Sequence, residues 1–402
     1  MRREAILQKP SKKPWWVQCT ACNHYCQIPD GQSGLCGVRL NEGGKLFLIT
    51  WWKALGVNVD PIEKKPLFHV LPWRWAFSFW TAGCNFWCLF CQNWQMSQVK
   101  VDRSPTAKAN KEDGRIYLPE ERINQIWVTL LPEDIIKLCK EYKIPIIAYT
   151  YNEPTVFFEY AYDTMVLTRS KEIAQKIKAA DVYNWSISGA DFFNVFVSNG
   201  YETNELWNVA EGYLDAINID LKWFSEKFYR KVVWGRLKPV LQNIEEVYHR
   251  RRIFLEVTTL IIPWENDSEE ELRQIAKFIK SVSPDIPWHI SRFHPDWKML
   301  DRPSTSPETL LKAYEIWKQE WLRYIYLWNL NMPEYETTYC PTCNTPLVER
   351  SGFVGENVKV NWDTEGICPK CGTQIPGIWY RDWEVVAIKH TIVNNKDSRN
   401  NE

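Results

Sequence analysis

Between residues 71 and 335 the chain alternates short apolar runs with longer amphipathic stretches. The apolar runs predict strands at Ala76–Phe79, Ile146–Tyr149, Val195–Ser198, Ala216–Asp220, Phe254–Leu260, Trp288–Arg292 and Tyr324–Leu327. The amphipathic stretches predict helices at Pro132–Glu141, Asp163–Ala179, Val240–Arg250, Glu269–Val282 and Pro307–Glu320. Asp267-Ser268-Glu269-Glu270 and Ser306-Pro307-Glu308 carry the hydroxyl and acidic residues that cap a helix N-terminus. Strand–helix alternation at this spacing predicts parallel strands joined by crossover helices, as a barrel or an open sheet. Polar or Cys-rich segments follow the first three strands: TAGC, TYNEP and NGYET. In a barrel, that end of the strands carries the chemistry.

Composition changes this picture little. Of the residues, 45% are hydrophobic and 24% charged, a globular balance. Lys plus Arg and Asp plus Glu each total 49, so zero net charge gives no support to nucleic-acid binding. No apolar run reaches bilayer-spanning or signal-peptide length, which predicts a cytoplasmic protein without a membrane contact.

The cysteines change it a great deal. Eleven of the twelve fall in three clusters, and only Cys139 stands alone, in a helix-like segment that predicts simple burial. The first set is Cys19, Cys22, Cys26 and Cys36; the second is Cys84, Cys88 and Cys91; the third is Cys340, Cys343, Cys368 and Cys371. Such spacings without a secretion signal point to metal rather than disulfides. They divide the chain into an N-terminal Cys-rich module (1–70), a central body (71–335), a zinc-ribbon-like module (336–380) and a solvated tail (381–402).

The count of thiols in each set bears on its metal. Three thiolates in the central set leave one iron of a four-iron cubane open, whereas structural zinc takes four protein ligands. A zinc site completed by a distant His, or three unrelated thiols, is the plainer alternative. The two CxxC knuckles of the third set satisfy tetrahedral zinc, with rubredoxin-like iron as the alternative. The first set is also complete, and His24 offers a substitute ligand; zinc and an auxiliary iron–sulfur cluster are both open.

CNFWCLFCQN resembles the CxxxCxxC signature of radical S-adenosylmethionine (SAM) enzymes. VDPIEKKPLFH, TAGCNFWCLFCQNWQMSQ, YTYNEPTVFFEY, VFVSNGY, DAINIDLK, EVTTLIIP and HISRFHPD together resemble the radical SAM component of the AmmeMemoRadiSam system. That group is itself similar to pyruvate formate-lyase activating enzymes. The resemblance covers about residues 17 to 380 and implies a radical SAM partial (β/α) TIM-like barrel with a [4Fe–4S] cluster on Cys84, Cys88 and Cys91.

It further implies that Phe90 lies against the adenine of SAM and that Glu153 holds the methionine amino group, with Asn152 and Thr155 adding hydrogen bonds. The diglycine that usually precedes this acid is absent. Turn chemistry alone is the competing explanation of Asn152-Glu153-Pro154. Asp220 and Lys222 match the Asp-Leu-Lys of the activating enzymes; two residues apart on a strand they share a face, unless they are only a surface ion pair. His294 matches a histidine that approaches SAM. Ser198 and Asn199 occupy the segment where activating enzymes carry an acid before Asn-Gly.

The implied reaction is reductive cleavage of SAM to a 5′-deoxyadenosyl radical that abstracts hydrogen from a substrate. The electron would come from a flavodoxin- or ferredoxin-like donor. Memo-type and AMMECR-type proteins are the partners implied by the system, a glycyl-radical protein the partner implied by the activating enzymes. A non-catalytic metal-binding adaptor is the reading from another class.

One compositional anomaly remains. The chain has 23 Trp and 17 Gly, against roughly 28 Gly at the usual share of about 7%. Trp264 follows Pro263 where a turn wants positive φ, and Trp321 sits at a helix end that favours Gly. Trp80, Trp223, Trp317 and Trp328 fall where the resembling family tends to have Gly, whereas Trp94 and Trp288 fit its pattern. A UGA codon read as glycine predicts strained tryptophan backbones; a genuinely Trp-rich protein does not.

Overall fold

The computed structural model describes residues 2–101, 116–119, 127–187, 192–352, 357–361, 366–381 and 384–389. Its centre is an eight-stranded sheet. In chain order the strands are β1 (Gly56–Pro61), β2 (Trp75–Trp80), β3 (Ile146–Tyr149), β4 (Phe193–Ser198), β5 (Ala216–Asp220), β6 (Phe254–Ile261), β7 (Trp288–Arg292) and β8 (Ile325–Trp328). They lie side by side in that order; β2 to β8 are parallel, and β1 pairs antiparallel with β2. Neither edge pairs with the other among the described residues, so the sheet is an open, partial barrel.

Successive strand residues alternate between two apolar clusters, as the twofold pleat requires. Phe77, Phe79, Ile147, Tyr149, Phe196, Ile217 and Val257 join the larger core. Ala76, Ile146, Ala148, Val195 and Ala216 point the other way, onto Leu67, Val70 and Leu71. Registers pair Phe79 with Tyr149 and Tyr149 with Phe196, so the strand ends are level and the loops that follow converge.

The crossover helices include α1 (Pro132–Glu141), α2 (Phe158–Thr168), α3 (Lys171–Ala179), α4 (Asn204–Ala210), α5 (Leu237–Arg250), α6 (Glu269–Val282) and α7 (Pro307–Gln319). Ser268 and Ser306 cap α6 and α7 by accepting from Glu271 N and Thr309 N. The single helix expected over Asp163–Ala179 is two. Arg169 is extended, its guanidinium buried against Asp215 at 2.6 Å, and the Ser170 hydroxyl starts α3 by accepting from Ile173 N.

The N-terminal ends of the strands are closed by a polar network under the Phe68-His69 segment. Glu256 accepts from Phe68 N, His69 N and His289 Nε2 at 3.0, 2.8 and 2.7 Å. His69 donates from Nδ1 to Pro376 O and accepts at Nε2 from Tyr326, whose hydroxyl also meets Thr338. Arg350, fully buried, bonds Phe68 O and Thr338. The third cysteine set and its strands Pro346–Ser351 and Asn357–Val360 thus dock on the barrel floor.

Two strands cross the expected boundaries. Strand β1 belongs to the central sheet although it lies within 1–70. The expected tail begins with a strand, Glu384–Ile388, paired to Gly377–Arg381 and to Asn184–Ile187; residues 390–402 lie outside the described residues.

Candidate functional site

A cavity of about 730 Å³ opens at the C-terminal ends of the parallel strands. Its lining includes all but Thr155 of the residues expected to bind the cluster or SAM: Cys84, Cys88, Cys91, Phe90, Asn152, Glu153, Ser198, Asn199, Asp220, Lys222 and His294. The loop after β2 presents the three thiols, and Gly83, at φ 88°, turns it where a Cβ would strike Cys36 O. Asn152, after β3, braces that loop: it accepts from Thr81 N and donates to Gly83 O at 2.8 Å. Its amide is thus engaged in positioning the loop.

Glu153 is 3% exposed and accepts four hydrogen bonds, from Thr155 N, Thr155 Oγ1, Ser198 Oγ and Asn199 N. It caps the short turn that follows, so the turn reading and the cavity reading hold together. Thr155 is spent on this cap. Sequence reasoning missed Glu202, fully buried and sharing the Ser198 hydroxyl with Glu153. Burial and the Glu153 charge push Glu202 up to about 8. Nothing in the local pattern NGYETNE marks it; only the turn after β4 brings it to Glu153.

Lys222 sits 2.8 Å from Asp220 as expected, with Nζ 5.8 Å from the Phe90 ring centre. Burial opposes its charge, but Asp220 and the Cys88 thiol raise its pKa above the ordinary value. Burial pushes Cys88 up to about 12, with Lys222 acting against it, and raises Cys84 well above its ordinary value. Phe90 is buried and stacks on Phe228. His294 stands exposed at the cavity mouth. A second unforeseen group touches the cavity: Lys65 and Tyr151, both in its lining, bond Asp60 at 2.8 and 2.9 Å.

Thiol spacing tests which metal each set fits. Four thiolates at about 2.3 Å from one zinc lie roughly 3.8 Å apart. Cys340, Cys343, Cys368 and Cys371 match this: Sγ–Sγ distances are 3.5 and 3.6 Å, and all four lie within 4.8 Å of one another. Cys139 is buried in α1, as expected. Cys84, Cys88 and Cys91 form no such tight group among the described residues. Thiolates on separate irons of a cubane stand wider apart than thiolates on one ion, so the triplet fits a cluster, and the adjacent lysine, carboxylates and Phe90 fit a zwitterion carrying an aromatic base.

A relative in Methanocaldococcus jannaschii, an uncharacterized protein, is 36% identical over 360 residues, covering 89% of this chain and 95% of its own length. Among solved structures, the chain is similar to a domain of pyruvate-formate lyase-activating enzyme from Bacteroides vulgatus (TM-score 0.35, 14% identity, 45% of this chain and 96% of that one). It is also similar to SuiB of Streptococcus suis bound to its precursor peptide (TM-score 0.41, 10% identity, 66% and 51%). Both likenesses are too distant to bear on activity. The model of the radical SAM superfamily matches residues 78–279, half of the chain, from β2 through α6. The chain belongs to the radical SAM superfamily, and its cofactors are a [4Fe–4S] cluster and S-adenosylmethionine.

Proposed function

We propose that this chain is the radical SAM enzyme of an AmmeMemoRadiSam-type system, working in the cytoplasm with a flavodoxin- or ferredoxin-like electron donor. The observation that carries the reading is the convergence of the Cys triplet, Glu153, Asp220, Lys222 and His294 on one cavity. When bound, the cluster and SAM supply one-electron cleavage of a sulfonium and hydrogen-atom abstraction. The protein's part is placement and protection. Asn152 holds the cysteine loop at its height, and the buried Glu153 offers a carboxylate to a cationic amino group. Lys222 offers the opposite charge, kept ionised by Asp220. Phe90 and Phe228 make an apolar wall for a planar base, and burial around the thiols limits water.

No helix among the described residues is long and apolar enough to cross a membrane. Memo-type and AMMECR-type proteins remain the partners proposed for this reading, ahead of a glycyl-radical protein. After anaerobic reconstitution, dithionite and SAM are expected to yield 5′-deoxyadenosine, and Cys88→Ala to abolish it. Cluster-replete protein that leaves SAM intact would sink the enzyme reading in favour of a metal-binding adaptor.

A further inference from the structure

The N-terminal cysteines are spaced unlike the zinc site. Cys19, Cys22, Cys26 and Cys36 line one pocket beside Arg39 and Asn85. Yet among the described residues no three of these thiols lie within 4.8 Å of one another, whereas the C-terminal four all do. One ion cannot reach thiols so spread without pulling the module inward. His24, on the same pocket, donates from Nε2 to Asn85 O at 2.9 Å. The buried Arg39 guanidinium, ion-paired through one nitrogen with Glu159, lies 3.8 Å from Cys19 Sγ through another, beside a thiol set that becomes anionic on ligation. Asn85 links this pocket to the SAM site, since it follows Cys84 in the chain and accepts from Asn199 at 2.6 Å. We propose that Cys19, Cys22, Cys26 and Cys36 hold a second, fully ligated [4Fe–4S] cluster, one residue away from the cluster on Cys84.

The test reads metal and sulfide and stands apart from SAM cleavage. Full-length protein with Cys84→Ala, Cys88→Ala and Cys91→Ala, reconstituted with iron and sulfide, is expected to retain acid-labile sulfide and the electron paramagnetic resonance of a reduced cubane. Zinc at this set with no sulfide overturns the proposal. Should that variant not fold, Cys22→Ser with Cys26→Ser in the otherwise unchanged chain is expected to halve the sulfide. Unchanged sulfide overturns it, whereas halved sulfide also excludes the C-terminal set as the source of the second half.

A different observation concerns the tryptophans. Seven of them, Trp15, Trp52, Trp73, Trp234, Trp264, Trp297 and Trp321, have φ between 48° and 67°. That left-handed region is open to glycine and costly for a bulky side chain. Trp15, Trp264 and Trp321 are 68%, 70% and 77% exposed, so burial offsets nothing. Trp321 occupies the position after the cap of α7, where a left-handed glycine normally ends a helix. Trp317 is jammed on Trp288 with ring centres 3.1 Å apart, well inside the spacing aromatic pairs prefer.

We infer that the seven left-handed positions and position 317 are glycine in the natural protein, encoded by UGA read as glycine. Peptides spanning 264 and 321 from protein isolated from the natural host are expected to carry glycine masses; tryptophan masses there overturn the inference. Independently, recombinant protein with W15G, W264G and W321G is expected to melt at a higher temperature than the sequence as it stands, and a lower melting temperature counts against it.

Discussion

At the scale of single residues, the pair Glu153 and Glu202 shows how the site controls charge. The Ser198 hydroxyl has one proton and lies between the two carboxylates, so a protonated Glu202 donates to Ser198 while Ser198 donates to Glu153. One negative charge then serves the cavity instead of two. Because Glu202 is pushed from 4.5 up to about 8, the folded state holds a proton that the unfolded chain has lost. Stability from this group is therefore highest below about pH 4.5 and declines as pH rises through about 8. Glu202→Gln is expected to match its parent near the acid end of that window and to melt several degrees higher at its alkaline end. A parent-like pH profile in thermal melts of the variant would refute the sharing of a proton. Glu202 was invisible in the sequence because its partner is 49 positions away, whereas Asp220 and Lys222 announced each other by strand spacing.

At the scale of elements, the single helix expected over Asp163–Ala179 shows the limit of periodicity. Its amphipathic pattern runs on through Arg169, but the buried pair Arg169–Asp215 requires an extended residue there, and Ser170 restarts the helix. The decisive partner comes from the start of β5, which no local window contains. The segment Phe68-His69 is the second instance. Burial lowers His69 from 6.5 to about 4, so it is neutral in the fold and charged when unfolded in mildly acidic solution. Its contribution is present above about pH 6.5 and is lost as pH falls towards about 4, on the order of 3 kcal/mol. Equilibrium unfolding of His69→Gln across that range is expected to show a shallower acid loss than the parent; an unchanged slope would point to other groups.

At the scale of the whole molecule, the two ends of the barrel have separate duties. The C-terminal ends of the strands carry the cavity, and the N-terminal ends are closed by the zinc-like module through Arg350, Thr338 and Pro376. Cys343→Ala is thus expected to remove one zinc per chain and lower the melting temperature by several degrees, while the triplet's cluster still forms in what stays folded. Metal analysis with thermal melts checks this. Iron without sulfide at this set would identify a rubredoxin-like site instead.

Local chemistry, read from the sequence alone, determined the class of this protein. Apolar runs placed the parallel strands to within two residues, because burial on both faces leaves only one kind of pattern, and three closely spaced thiols after a strand pointed to an open iron. Tertiary structure decided what depends on residues distant in the chain: the Glu153–Glu202 pair, the break at Arg169, the edge strand β1 and the sealed floor. It also bears on the N-terminal cysteine set, for which the sequence left zinc and an iron–sulfur cluster both open. Spacing along the chain counts ligands, whereas only distances in space distinguish thiols gathered on one ion from thiols spread around a cluster.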